Sequence, residues 1–429
     1  MRGRWWPWLL LLLALVPALL VNQRRAPLTN ATPTENVSEA ILSNPNTLDP
    51  ALATTASDWA VDSNVFQPLF QVGSLGGLSK NLVDKVTFFG HTVTLTIAPT
   101  PITGGGHLTA TMVAASLARP LWSEVKSPLA QALLSSVVGS KRVMAGKARY
   151  LSGVGVVNAS TLTIRLKHSA RKNFLKTLAN PALSIVPVQD MQRGGANWQW
   201  MNLYGTGGYR LTNWVPNGSL TLKRVHGRGP TVIDLPVFSS LKAATLAFRN
   251  GSVDFVPINA TKVTMLRGAL SRAVRSLTMP GNLYLVYRSH APAVSTYPHL
   301  SIRQWVEKSF RGHIAPSSGH WPSALPSGRP MTIYVNQNLP EAVQLADTLA
   351  HREAGRVTVR RVSLSTLKRL ARHNQIPAYI GQANLFRSGT LVPLAPMRAL
   401  WLINPLYRHA EVYANGSLNW HSLTRRASK

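Results

Sequence analysis

The stretch from Met331 to Val362 constrains the fold more than any other part of this chain. Met331–Asn336 alternates, with Ile333 and Val335 on one side, which predicts a strand. Pro340 stands where a helix begins, because its missing N–H costs nothing in a first turn. Ala342, Leu345, Ala346, Leu349 and Ala350 then recur at helical spacing as one apolar stripe. Gly355 stops that helix, and Val357–Val362 reads as the next strand. Strand, helix and strand with short links form a βαβ unit, which implies a parallel sheet. Leu364, Leu367, Leu370 and Ala371 predict a further helix, and a short strand follows near Tyr379–Ile380.

The first half has a different character. Thr92–Ile97 alternates strictly, with Val93, Leu95 and Ile97 on one face and threonines on the other, as a half-buried strand does. Gly104-Gly105-Gly106 breaks the chain. Thr109 is then placed to cap a helix through Met112, Val113, Ser116 and Leu117 that ends before Pro120. Residues 161–166 alternate again, as does Leu220-Thr221-Leu222. No internal repeat appears. The expectation is a β-rich first part and a separate α/β second part, ample material for more than one core in 429 residues.

Charge excludes some functions. Lys and Arg number 46 against only 15 Asp and Glu, a formal net charge of +31. The longest basic runs are pairs, such as Arg24-Arg25, Arg360-Arg361 and Arg425-Arg426, so no specific nucleic-acid partner is expected. The unusual quantity is the scarcity of acids. A fold with few carboxylates has few ion pairs to lose in an acidic exterior, which suggests an acidophile's exported protein; adhesion to an anionic wall or membrane is the rival cause. With no cysteine, disulfides, thiolate metal sites and an N-terminal lipidated Cys are ruled out. The 12 histidines lack ligand spacing, so neither metal nor cofactor is expected. The chain has no GxSxG and no paired carboxylates, and no enzymatic activity is expected.

The N-terminus reads as an address. Arg2 and Arg4 precede Trp5, Trp6 and Trp8 and an apolar stretch from Leu9 to Val21. This is a signal peptide or an uncleaved signal anchor over 1–25, the latter because Trp5–Val21 reaches the short end of the ~17–25 residues that span a bilayer. Either implies export, to the cell surface or the periplasmic or extracellular space. Residues 26–40 read as a linker.

Several segments, taken in order, resemble the successive motifs of one known family. Asn44-Pro45-Asn46-Thr47-Leu48-Asp49-Pro50-Ala51 resembles the family's opening motif, and Val65–Phe70 the helix end that follows it. Leu108–Val113, Thr161–Leu166 and Ser184–Pro187 resemble its next helix start, strand and turn. Gly205-Thr206-Gly207-Gly208-Tyr209 stands where the family has GTGPY, followed by Trp214-Val215-Pro216. Leu246–Asp254, Leu283–Tyr287, Ile302–Trp305 and the tail from Val392 to Leu418 continue the series. Together these segments resemble the peptide- and nickel-type family 5 extracellular solute-binding proteins that serve ABC importers, which implies a two-lobed periplasmic-binding-protein-like α/β fold (class II, cluster C type), with a β-rich first lobe and a smaller α/β second lobe. Lobe I would cover 41–278, with 65–190 as a subdomain, lobe II 279–392, and 393–429 would return to lobe I.

The resemblance also implies a function: capture of a peptide or other small solute between the lobes, with an ABC permease as partner and the membrane surface met through the N-terminal segment. The alternative is a degenerate binding-protein fold acting as an anchored sensor or scaffold. Its motive is a shortened second lobe, in which Tyr379 runs through Gly381–Phe386 almost directly to Pro393 and no acid stands between Glu353 and Glu411. By position, Thr54, Thr55, Ser57 and Trp59 should pass the cleft, joined by Tyr284, Tyr287 and Arg288 from the hinge strand. Trp305 and the Gly207–Tyr209 turn lie near it in the family. Trp59 serves equally as core packing, and Arg288 either clamps a carboxylate or stays a solvated surface residue. Asp49 is expected to cap a turn with Pro50, Asp254 to cap structure, and Gly205, Gly207 and Gly208 to serve a tight turn.

Overall fold

A computed structural model describes residues 36–425, except 74–76, 169–171, 189–202, 259–265, 289–330, 338, 353–356, 382–384 and 386–388. The N-terminal segment, Ile302–Trp305 and Gly355 therefore lie outside the described residues. Among the described residues, the first strand is β1 (Asn36–Ser38), which lies inside the stretch read as a linker. Apolar Val37 is buried there, which the polar composition around it obscures. Helix α1 (Ala56–Val65) follows.

Strands β2 (Val83–Phe89) and β3 (Thr92–Ile97), helix α2 (Ala110–Ala118), and strands β4 (Val154–Val156) and β5 (Thr161–Arg165) make the next unit. Its four-stranded sheet runs β2-β3-β5-β4, every pair antiparallel. Val93, Leu95 and Ile97 are buried and the intervening threonines are not, as the alternation predicts. Thr109 caps α2, its hydroxyl accepting from the Met112 N–H at 3.3 Å.

Strands β6 (Tyr209–Val215), β7 (Ser219–Arg224) and β8 (Val232–Pro236) then form a meander, and β1 adds to β8 in parallel. The glycines before β6 are dictated by close approach. A Cβ on Gly207 would stand 2.3 Å from the Asn64 carbonyl oxygen, and one on Gly208 2.1 Å from Cε1 of His421. The loop thus packs directly against the end of α1 and the C-terminal turn. One continuous core joins both four-stranded sheets with α1 and α2, and includes fully buried Trp420 and Tyr209.

Helix α3 (Leu241–Arg249) and strand β9 (Phe255–Ile258) lead to β10 (Val274–Arg288), a strand of 15 residues. Strand β11 (Met331–Asn336), helix α4 (Pro340–Arg352), strand β12 (Val357–Val362), helix α5 (Leu364–Arg372) and strand β13 (Ala378–Gly381) follow, and β14 (Gly389–Ile403), also of 15 residues, returns. The six-stranded sheet has the order β9-β14-β10-β13-β11-β12. β11 is parallel to both β12 and β13, so the βαβ unit stands as read. Strand β13 is buried along its whole length, because α4 covers one face of the sheet and α5 the other.

The long pair β10 and β14 carries the chain between two separate cores. Near Val274 it adjoins β9 and the small core under α3; near Leu283 and Leu285 it enters the core under α4. Between those ends the register shifts at Thr278/Asn282 and again at Leu283/Tyr284. Pro280, which donates no backbone hydrogen bond, and Gly281, at φ 101°, fall in the first shift.

Candidate functional site

The site begins with the first turn of α1. Thr55 is its N-cap: the hydroxyl accepts from the Asp58 N–H at 3.1 Å, and Asp58 reaches back to the Thr55 N–H at 2.9 Å, a reciprocal capping box. The same buried carboxylate takes the Thr54 N–H at 3.0 Å and the Asn46 N–H at 2.7 Å. Asp58 therefore ties the loop after the opening motif to the helix that follows. Replacing Thr55 by Ala should lower stability by about 1 kcal/mol, read as a lower urea midpoint at unchanged slope.

Beside this turn is a cavity of about 440 Å³. Its walls come from residues 39–43 after β1, from Ala56, Ser57, Trp59 and Ala60 of α1, and from Leu241 at the start of α3. Pro257 and Ile258 of β9, Ala399–Trp401 of β14 and the turn Asn415–Ser417 complete it. The lining is chiefly apolar. Its polar side chains already have partners: the Ser43 and Ser57 hydroxyls stand 3.0 Å apart, Asn415 Oδ1 accepts from the Ser417 hydroxyl at 2.7 Å, and the Asn415 amide donates to the Ser63 hydroxyl at 2.7 Å.

Two buried carboxyls lie on or near this wall. Glu39, 1% exposed, lines the cavity and accepts the indole N–H of Trp420 at 2.7 Å. Burial pushes its carboxyl up to about 8, against the smaller opposing effect of that hydrogen bond. Asp62 of α1 is buried, and neither carboxyl oxygen has a hydrogen-bond partner among the described residues. Burial first, then the nearby Asp49 and Asp58, hold it well above the usual carboxylate range. Asp49 has a partner that the sequence did not reveal. It caps its turn, accepting from the Ala51 N–H at 3.0 Å, but it also forms a buried bidentate pair with Arg119 at the end of α2, Nη1 to Oδ1 at 2.9 Å and Nη2 to Oδ2.

Of the residues expected at the cleft, Ser57 and Trp59 line the cavity, whereas Thr54 and Thr55 are held in the cap beside it. Tyr284 is half-buried against the core under α5, at a register position opposite Gly381 and Pro393. Tyr287 and Arg288 end β10 opposite Thr390 and Gly389; their side chains lie outside the described residues. Every described wall of the cavity belongs to the segments 39–60, 241–258 and 399–417, so Tyr284, the hinge-strand candidate whose side chain is described, is not brought to it. Asp254 accepts from the Ser38 N–H at 3.1 Å and from Asn404 at 2.7 Å, holding β1 to the end of β14. Glu39, Trp401 and the Asn415–Ser417 turn were missed. The available signal was Glu39 itself, one of very few acids, standing in the apolar run Val37–Leu42.

Among the described residues no helix is long and apolar enough to cross a membrane, and no His, Asp and Glu cluster could hold a metal. Residues 104–298 match the family described as bacterial extracellular solute-binding proteins, family 5 middle. No curated protein matches the chain. Among solved structures, the unliganded open form of the periplasmic murein tripeptide binding protein MppA superposes with a TM-score of 0.70 at 16% identity, covering 91% of this chain and 97% of that one. A second structure of the Escherichia coli murein tripeptide binding protein gives 0.59 at 14% identity, covering 91% and 98%. Haemophilus influenzae OppA in complex with the peptide RPPGFSPFR gives 0.58 at 11% identity, covering 91% and 99%. The architecture is that of the two-lobed periplasmic binding proteins, with mixed α and β content.

Proposed function

We propose that this chain is the extracytoplasmic receptor of an ABC importer, of the family 5 bacterial extracellular solute-binding kind, and captures a peptide or other small solute; the match of residues 104–298 and the two-lobed fold support this reading. The observation that carries this reading is the apolar cavity at the first turn of α1. Its volume, about 440 Å³, lies within the ~300–1,000 Å³ of small-molecule sites. The β10 and β14 pair, with its register shifts at 278–284, supplies the hinge in this reading. Lobe II would close over the cavity and remove the ligand from water. Binding, not bond making, is the task assigned to these residues.

The test is thermal unfolding of the full-length chain against peptides, amino acids, sugars and metal chelates at pH 3 and pH 7. A ligand held only by the folded state adds ~2.7 kcal/mol at a hundred times its dissociation constant. A melting rise with one class is the expected result. A well-folded protein unmoved by every class would sink the receptor reading.

A further inference from the structure

Among the described residues, the cavity lining carries no basic side chain and a single carboxyl. Ile258, Leu400 and Trp401 form its apolar walls, and the Ser43 and Ser57 hydroxyls already face each other at 3.0 Å. Glu39 is the one titratable side chain in the lining, and no basic side chain pairs with it among the described residues. Its Oε2 is taken by the indole of Trp420. Of the charged and titratable groups on neighbouring elements, Asp234 is bonded by Thr221, Asp254 by Ser38 and Asn404, and His421 by the Arg228 carbonyl, while Asp62 of α1 has no hydrogen-bond partner among the described residues.

We propose, building on the receptor reading, that this cavity takes a ligand without formal charge, an apolar molecule with the chemistry of an end-blocked peptide, in preference to a free ammonium or carboxylate. An ammonium group placed here would require Glu39 to ionise against apolar walls, which burial opposes. A carboxylate would find no base in the lining and would face Glu39.

Four probes separate the charges: acetyl-Leu-Leu-amide, Leu-Leu-amide, acetyl-Leu-Leu and free Leu-Leu, titrated calorimetrically into the full-length chain at pH 6. The blocked dipeptide should bind most tightly, and each exposed charge should weaken binding by about tenfold or more. Equal or tighter binding of any charged member overturns the inference and leaves the receptor reading standing. Binding by none of the four also overturns it, and the wider ligand panel then decides the receptor reading independently. Ser57→Asp, at a first-turn helix position that favours an acid, should shift preference from acetyl-Leu-Leu-amide toward Leu-Leu-amide. An unchanged order in a folded S57D protein counts against the inference equally.

Discussion

Lowering the pH from 8 to about 4.5 should stabilise this protein through Glu39, and Glu39→Gln should abolish that contribution. The folded-state carboxyl titrates at about 8 and the unfolded one near 4.5. A raised folded value means the stability is fully present below the unfolded value and lost as pH rises through the folded one. The difference corresponds to about 4–5 kcal/mol at most. Asp62 acts in the same direction. His226 and His421 oppose it, because burial depresses both and each must charge as pH falls below about 6.5. The informative quantity is therefore the stability of the wild type minus that of E39Q, from urea unfolding between pH 4 and 9. Gln keeps an acceptor for the Trp420 indole, so the two should agree near pH 4.5 and diverge with E39Q the more stable by pH 9. Parallel curves would mean that Glu39 is not held neutral. The expected direction also suits the acidic exterior that the scarcity of carboxylates suggests.

Arg119→Met should cost about 3–5 kcal/mol, since it strands the Asp49 carboxylate in the core. Both side chains are almost wholly buried and joined by two hydrogen bonds. The pair links the Asp49–Pro50 turn to the end of α2, across 70 positions of sequence. Asp49→Asn combined with Arg119→Met should recover much of the loss, because no charge is then left unpaired. A single-variant loss under about 1 kcal/mol would show that water reaches Asp49 and that the pair does little.

The elements that could be read in advance are those whose pattern is local. Strands 92–97 and 331–336, the Thr109 cap and the parallel β11-α4-β12 unit follow from side-chain periodicity and one capping residue, interactions that close within a few positions. The glycine loop was legible as a turn, although its cause, contact with Asn64 and His421, was not. At the site, Ser57 and Trp59 were within reach because they follow the opening motif in sequence. Thr54 and Thr55 were equally close, yet Asp58 claims their backbone groups as part of a cap.

The local elements, the α/β character of residues 331–381 and the want of carboxylates can be read from the residue pattern alone. Which of those few carboxylates are buried, and what meets them, depends on how the chain packs. Glu39 encounters Trp420, and Asp49 encounters Arg119, through contacts 381 and 70 positions apart. Burial and long-range pairing are properties of the packed chain, and they set the charge state of a side chain more strongly than its neighbours in sequence do.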